Sequence, residues 1–125
     1  MGADMTAAGE SNKARQSARL AFEGLRTAML DAASTFSREA EVVTKLLAAL
    51  DEQPSITTLT ERFPIAEERE RLTAVLDNYE TYRRDARIAL WRVMLFEGCS
   101  IGEISRIFGL SRQLVSRQLR DNPLP

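Results

Sequence analysis

The chain contains no histidine and a single cysteine, Cys99. Structural and catalytic metal sites draw on sets of such side chains, and a lone thiol cannot close an internal disulfide. No metal, no cofactor and no intramolecular cross-link is therefore expected. A free thiol fits a reducing compartment, so a cytoplasmic location is expected. Triads that run through histidine are excluded. Neither a glycine-rich phosphate loop nor a catalytic serine motif is present. No enzymatic activity is expected.

Apolar residues make up 44% of the sequence, but they never run for the ~20 positions that a membrane-spanning helix requires. The opening stretch MGADMTAAGESNKAR lacks the apolar core of a secretory leader. No β-branched alternation of useful length occurs, which removes strands. Glycine and proline are few and sit at segment edges. Ala, Leu, Glu and Arg dominate instead, and these favour helix. The expected class is all-α.

Charge is unevenly spread. Residues 83–121 hold eight arginines against Asp85, Glu97, Glu103 and Asp121, a net of +4. The rest holds nine basic against fourteen acidic residues, a net of −5. A basic C-terminal third suits a polyanionic partner, although a solvated helical face would look the same.

Residues 1–11 are small and polar and are expected to be disordered. A helical arm is expected over 12–80. Its first part, about Asn12 to Asp51, carries Ala18, Phe22, Leu25, Met29, Ala32 and Phe36 at alternating steps of four and three, a heptad-like seam. A second seam runs through Ala40, Val43, Leu47 and Leu50. Their phases disagree near Phe36–Ala40, so this part is either one helix with a phase shift or two helices. A continuous helix of 40 residues would span ~60 Å. An apolar stripe of that length needs cover. A later helix of the same chain, a second copy, or another protein would each supply it. Phe22, Leu25, Met29, Phe36, Val43 and Leu47 are the candidate dimer contacts.

Pro54 and Pro64 bracket a break at 51–64, with one short helical turn around Leu59–Phe63. Helix resumes near Ile65, with Glu67, Glu68 and Glu70 close to its positive end. It carries an apolar stripe from Leu72 to Met94, either unbroken to about Glu97 or interrupted near DNYET. The stretch IALWRVMLF at 88–96 is apolar nearly all round and should be buried on several sides.

The last segment, 81–122, is punctuated by local signals. Gly98 suits a helix C′ position. Ser100 with Glu103 forms a Ser-x-x-Glu capping box. The short helix that follows should turn Ile101, Ile104, Ile107 and Phe108 inward and stop at Gly109. Ser111 can cap a final helix that buries Leu114, Val115 and Leu119 and ends by Pro123. Two short helices joined by a glycine turn, with an apolar helix ahead, make a trihelical helix-turn-helix layout.

The segment SIGEISRIFGLSRQLVSRQLR resembles the helix-turn-helix of bacterial DNA-binding proteins. Glu103, Ile104, Gly109, Leu110, Ser111, Val115, Ser116, Arg117 and Leu119 stand where that pattern has the same residues. The segment is similar to the C-terminal part of site-specific resolvases and to region 4 of sigma factors. Ser105 stands in place of the usual alanine, Phe108 in place of leucine and Leu114 in place of threonine. The resemblance covers about 23 residues, or about 40 with the preceding helix.

The resemblance implies that the last helix enters the major groove of double-stranded DNA. Arg112, Gln113 and Arg117 would read base edges, since Arg grips guanine and Gln grips adenine through paired hydrogen bonds. Ser111, Ser116 and Arg120 would hold phosphates. Arg106, with Arg83, Arg84 and Arg87, would add electrostatic affinity. The expected function is a dimeric, sequence-specific DNA-binding regulator. The alternative is a protein-interaction module, similar to a sigma-type or polymerase-associated adaptor, that uses the arm to bind a protein partner.

Overall fold

A computed structural model describes the backbone at residues 2–52 and 54–123, with side chains from residue 8 onward. The described residues form five helices: α1 (Gly2–Asp51), α2 (Ile56–Arg62), α3 (Ile65–Phe96), α4 (Ile101–Phe108) and α5 (Arg112–Asp121). The fold is all-α, with α1 packed against α3 as a hairpin and a trihelical helix-turn-helix at the C-terminal end. Two units are distinguished: residues 1–25 with 82–125, and residues 26–81.

α1 starts at Gly2 rather than near Asn12, so the helix extends through the segment expected to be disordered. Met1 lies outside the described residues. α1 is also one helix, without the break expected at STFS. The buried or half-buried positions explain its continuity. They are Ala14, Ala18, Ala21, Leu25, Ala28, Ala32, Thr35, Glu39, Val42, Leu46 and Ala49, and they step by four and three without interruption. The apparent phase shift came from following the large side chains. The buried seam is instead mostly alanine, at six of these eleven positions, with Thr35 and Glu39 at its middle. Small residues let two helix axes approach closely, and that selects the alanine stripe. Phe22, Met29, Phe36, Val43, Leu47 and Leu50 consequently lie outside the seam and stay exposed, each 41–58% accessible. α3 answers with Glu68, Leu72, Val75, Tyr79, Tyr82, Ala86, Ala89 and Val93, the same alternation, and it too is unbroken.

In the unit 26–81, α2 is capped by Ser55, whose hydroxyl accepts from Thr58 N–H at 3.2 Å. Leu59 is its buried residue. Within this unit the seam carries charge. Arg71 donates to both carboxylate oxygens of Glu68 at 3.0 Å and lies 3.5 Å from Glu39. The hydrogen bond between the Glu39 and Glu68 carboxyls holds Glu39 above the ordinary carboxylate range, and burial adds to this. The same hydrogen bond, with Arg71, holds Glu68 below it. When the pair binds a proton, Glu39 therefore takes it before Glu68.

In the other unit, Ala14, Ala18, Ala89 and Val93 pack together. Glu97 accepts from Ser11 Oγ at 3.4 Å and pairs with Arg15. Gly24 makes room for an aromatic ring: a Cβ there would fall 2.8 Å from Tyr82 Cε1. A second cluster in this unit, Ile88, Trp91, Ile104 and Val115, is the core of the helix-turn-helix.

Candidate nucleic-acid interface

Local chemistry sets each boundary of the C-terminal helices. α3 ends at a left-handed Gly98, φ 104°, with Cys99 N–H donating 2.8 Å to Met94 C=O. α4 ends in the same way at Gly109, φ 65°, with Leu110 N–H donating 3.0 Å to Ser105 C=O. In both turns a glycine supplies the conformation that a side chain resists, and the wrap-around bond satisfies a helix-end carbonyl. The capping box at α4 is complete: Ser100 Oγ accepts from Glu103 N–H at 3.1 Å, and Glu103 accepts from Ser100 N–H at 3.3 Å. At α5, Ser111 Oγ accepts from Leu114 N–H at 3.1 Å. Ser105 does more than fill the alanine position of the resembled pattern. Its hydroxyl donates to Leu110 C=O and ties the turn to α4.

The core beneath is aromatic. Trp91 is fully buried and meets Phe108 edge-on, with ring centroids 5.7 Å apart. Phe108 in place of leucine is thus matched to a tryptophan partner on α3. Val115 is fully buried from α5, while Leu110, Leu114 and Leu119 are half-buried. Ile107 departs from expectation: it is 66% exposed. Ile101, Ile104, Ser105 and Phe108 define the inner face of α4. At about 100° per residue, Ile107 lies roughly 100° from the centre of that face.

Gln113, Ser116, Arg117 and Arg120 are exposed on the side of α5 away from Val115, and Ser111 and Arg112 are exposed at its start. Arg106 on α4 is exposed as well. Arg112 lies against α4, so that a Cβ on Gly102 would fall 2.9 Å from its Nη2. Arg120 is 3.4 Å from the Asp121 carboxylate, and Arg84 is 3.6 Å from that of Asp85. These exposed pairs are weak and exchangeable.

Two arginines are withdrawn from the basic surface. The Arg87 guanidinium carbon sits 5.2 Å from the Trp91 ring centre, and its Nη2 donates 2.8 Å to Gln118 Oε1. Its position clamps α3 to α5 rather than presenting charge. Sequence reasoning missed this clamp, although Arg87 and Trp91 are four residues apart on one helix face. Burial lowers the pKa of Arg92, which lines an open apolar groove with Leu95, Phe96, Leu119 and Pro123.

Of the proposed arm contacts, Leu25 is buried within its own chain and is not available to a partner. Phe22 in one unit, and Met29, Phe36, Val43 and Leu47 in the other, are exposed. Among the described residues, no group of three or more His, Cys, Asp or Glu is placed to hold a metal ion. None of the described helices is long and apolar enough to cross a membrane.

Comparisons with protein-family models, with curated proteins and with solved structures find no match to the chain.

Proposed function

We propose that the chain is a sequence-specific DNA-binding protein that acts as a dimeric transcriptional regulator and reads the major groove with α5. One observation carries this reading. The polar face of a rigidly capped α5 exposes Arg112, Gln113, Ser116 and Arg117 together, and the turn ahead of it is held by Gly109, Ser105 and Ser111. Those side chains match base-edge and phosphate recognition. Arg112, Gln113 and Arg117 are the base readers. Ser111, Ser116 and Arg120 hold phosphates, and Arg106 adds positive potential. Arg87 is left out of the contact set because it serves the core.

Selection from random duplex DNA with the full chain, at near-physiological salt, tests the proposal. An enriched motif with two-fold repetition is the expected outcome. No enrichment from folded protein removes the reading.

The exposed apolar stripe on α1 favours a second reading, an adaptor that binds a partner protein through the arm. Salt separates the two. Phosphate contacts release counterions, so DNA affinity falls steeply with salt. Docking on an apolar stripe holds or strengthens.

A further inference from the structure

Within the unit 26–81, every outer-stripe residue of α1 follows a buried-seam residue by one position. Ala28 is followed by Met29, Ala32 by Ala33, Thr35 by Phe36, Glu39 by Ala40, Val42 by Val43, Leu46 by Leu47 and Ala49 by Leu50. The outer stripe thus repeats the four–three alternation of the inner one, turned by about 100° around the helix. One helix carries two heptad seams. The inner seam is buried within the unit. The outer seam leaves Met29, Phe36, Val43, Leu47 and Leu50 each 44–58% exposed. Beside it lies an apolar groove of about 280 Å³ between Met29, Phe36, Leu76 and Tyr79.

We infer that a second copy of this chain covers the outer seam, with the two α1 helices antiparallel. A strict heptad repeat is matched along its length by a helix with the same repeat, and the chain itself presents one. The seam is also self-complementary in size. With the two-fold axis near residue 38, Phe36 of one copy faces Ala40 of the other, Val43 faces Ala33, and Met29 faces Leu47. Large against small at the centre, with Met29 against Leu47 further out, fills the space between the helices. Arg26 of each copy then lies beside Leu50 and Asp51 of the other, a cation next to an anion. A parallel pair would stack Ala33 on Ala33 and Ala40 on Ala40, leaving cavities, and would set Arg26 against Arg26. The pairing is isologous, so it closes at two copies. The groove beside Leu76 and Tyr79 receives the second copy's Leu47. This inference deepens the DNA-reading proposal by naming its dimer surface, and it does not depend on DNA binding.

The test uses the full chain without DNA. Analytical ultracentrifugation should give a dimer at micromolar concentration. Phe36→Asp combined with Val43→Asp should weaken dimerisation at least about 100-fold, because two charges would be buried in the seam. Helical circular dichroism should be retained, because both positions are solvent-exposed in the single chain. A second measurement fixes direction and needs no disruptive variant. With Cys99→Ser and a spin label on the exposed Thr27→Cys, which belongs to neither seam, an antiparallel pair places the labels roughly 33 Å apart, from 22 residues of helical rise. A parallel pair places them much closer. A monomer at all concentrations, a dimer of undiminished stability in the double variant, or a short label distance each overturns the inference. If the double variant unfolds, the wild-type mass and label distance decide. A monomer that still selects a DNA motif removes the seam and leaves the reading head. A dimer that selects none does the reverse.

Discussion

Trp91 and Phe108 meet edge to face, 5.7 Å between ring centres, at the point where α3 crosses α4. Trp91 is fully enclosed, and Arg87 stacks on it from the same helix. This trio orients the turn and α5, so the aromatic contact is where the stability of the helix-turn-helix is set. Phe108→Leu should cost about 1 kcal/mol, and Phe108→Ala about 3 kcal/mol, as a cavity opens beside an indole that cannot collapse into it. Denaturant midpoints followed by tryptophan fluorescence measure both, and equal losses for the two variants would place Phe108 outside the load.

Arg117 and Arg87 are both arginines of the basic third, yet they should behave oppositely. Arg117 is exposed on α5, so Arg117→Ala should leave unfolding unchanged and weaken specific DNA binding by about 1–3 kcal/mol, relaxing one base position. Arg87→Ala should lower stability by about 1–2 kcal/mol through loss of the Trp91 stack and the Gln118 hydrogen bond. Paired melting and binding curves on the two variants separate the roles. A stability loss in Arg117→Ala would move that residue into the core.

The two glycines of α4 differ in what they tolerate. Gly109 has φ 65°, so Gly109→Ala should destabilise by about 1 kcal/mol through backbone strain. Gly102 is helical, and only the flexible end of Arg112 stands in the way of a Cβ. Gly102→Ala should therefore stabilise by about 0.5–1 kcal/mol through helix propensity, while moving the Arg112 guanidinium. Thermal melts give the signs. DNA affinity of Gly102→Ala reports whether the folded-back position of Arg112 matters for binding.

The Glu39–Glu68 pair predicts a pH signature. Glu39 is held above the ordinary carboxylate range by its hydrogen bond to Glu68, so its contribution is present at low pH and is lost as pH rises through that raised value. Glu68 is held below the range by the same bond and by Arg71, so its contribution is lost as pH falls through its lowered value. Glu39→Gln keeps a donor toward Glu68 and cannot ionise. Its melting temperature should exceed that of the wild-type chain at neutral pH, and the loss above the carboxylate range should vanish while the acid-side loss remains. An unchanged profile on the alkaline side would show that Glu39 carries no proton in the fold.

Much of the helix-turn-helix was legible in the chain because its instructions are local. Ser100 with Glu103, Gly109, and Ser111 each act within five residues, on their own turn of backbone, and no distant partner is needed to interpret them. Ile107 and Arg87 were misjudged for the complementary reason. Which way a side chain faces depends on what lies across the crossing, and neither the Trp91–Phe108 contact nor Gln118 beneath Arg87 is a neighbour in sequence.

The arm shows the same division most sharply. Composition and the absence of breakers determined that α1 would be a long helix with heptad periodicity. The sequence contains two interleaved seams one residue apart, and periodicity alone cannot rank them. The large side chains of Phe22, Met29 and Phe36 drew the reading across both stripes, mixing them with Ala18, Leu25 and Ala32 of the buried one. Only the tertiary structure decided between them. The stripe richer in alanine, which lets helices approach closely, went inside, and the stripe carrying Phe22, Met29 and Phe36 was left facing water.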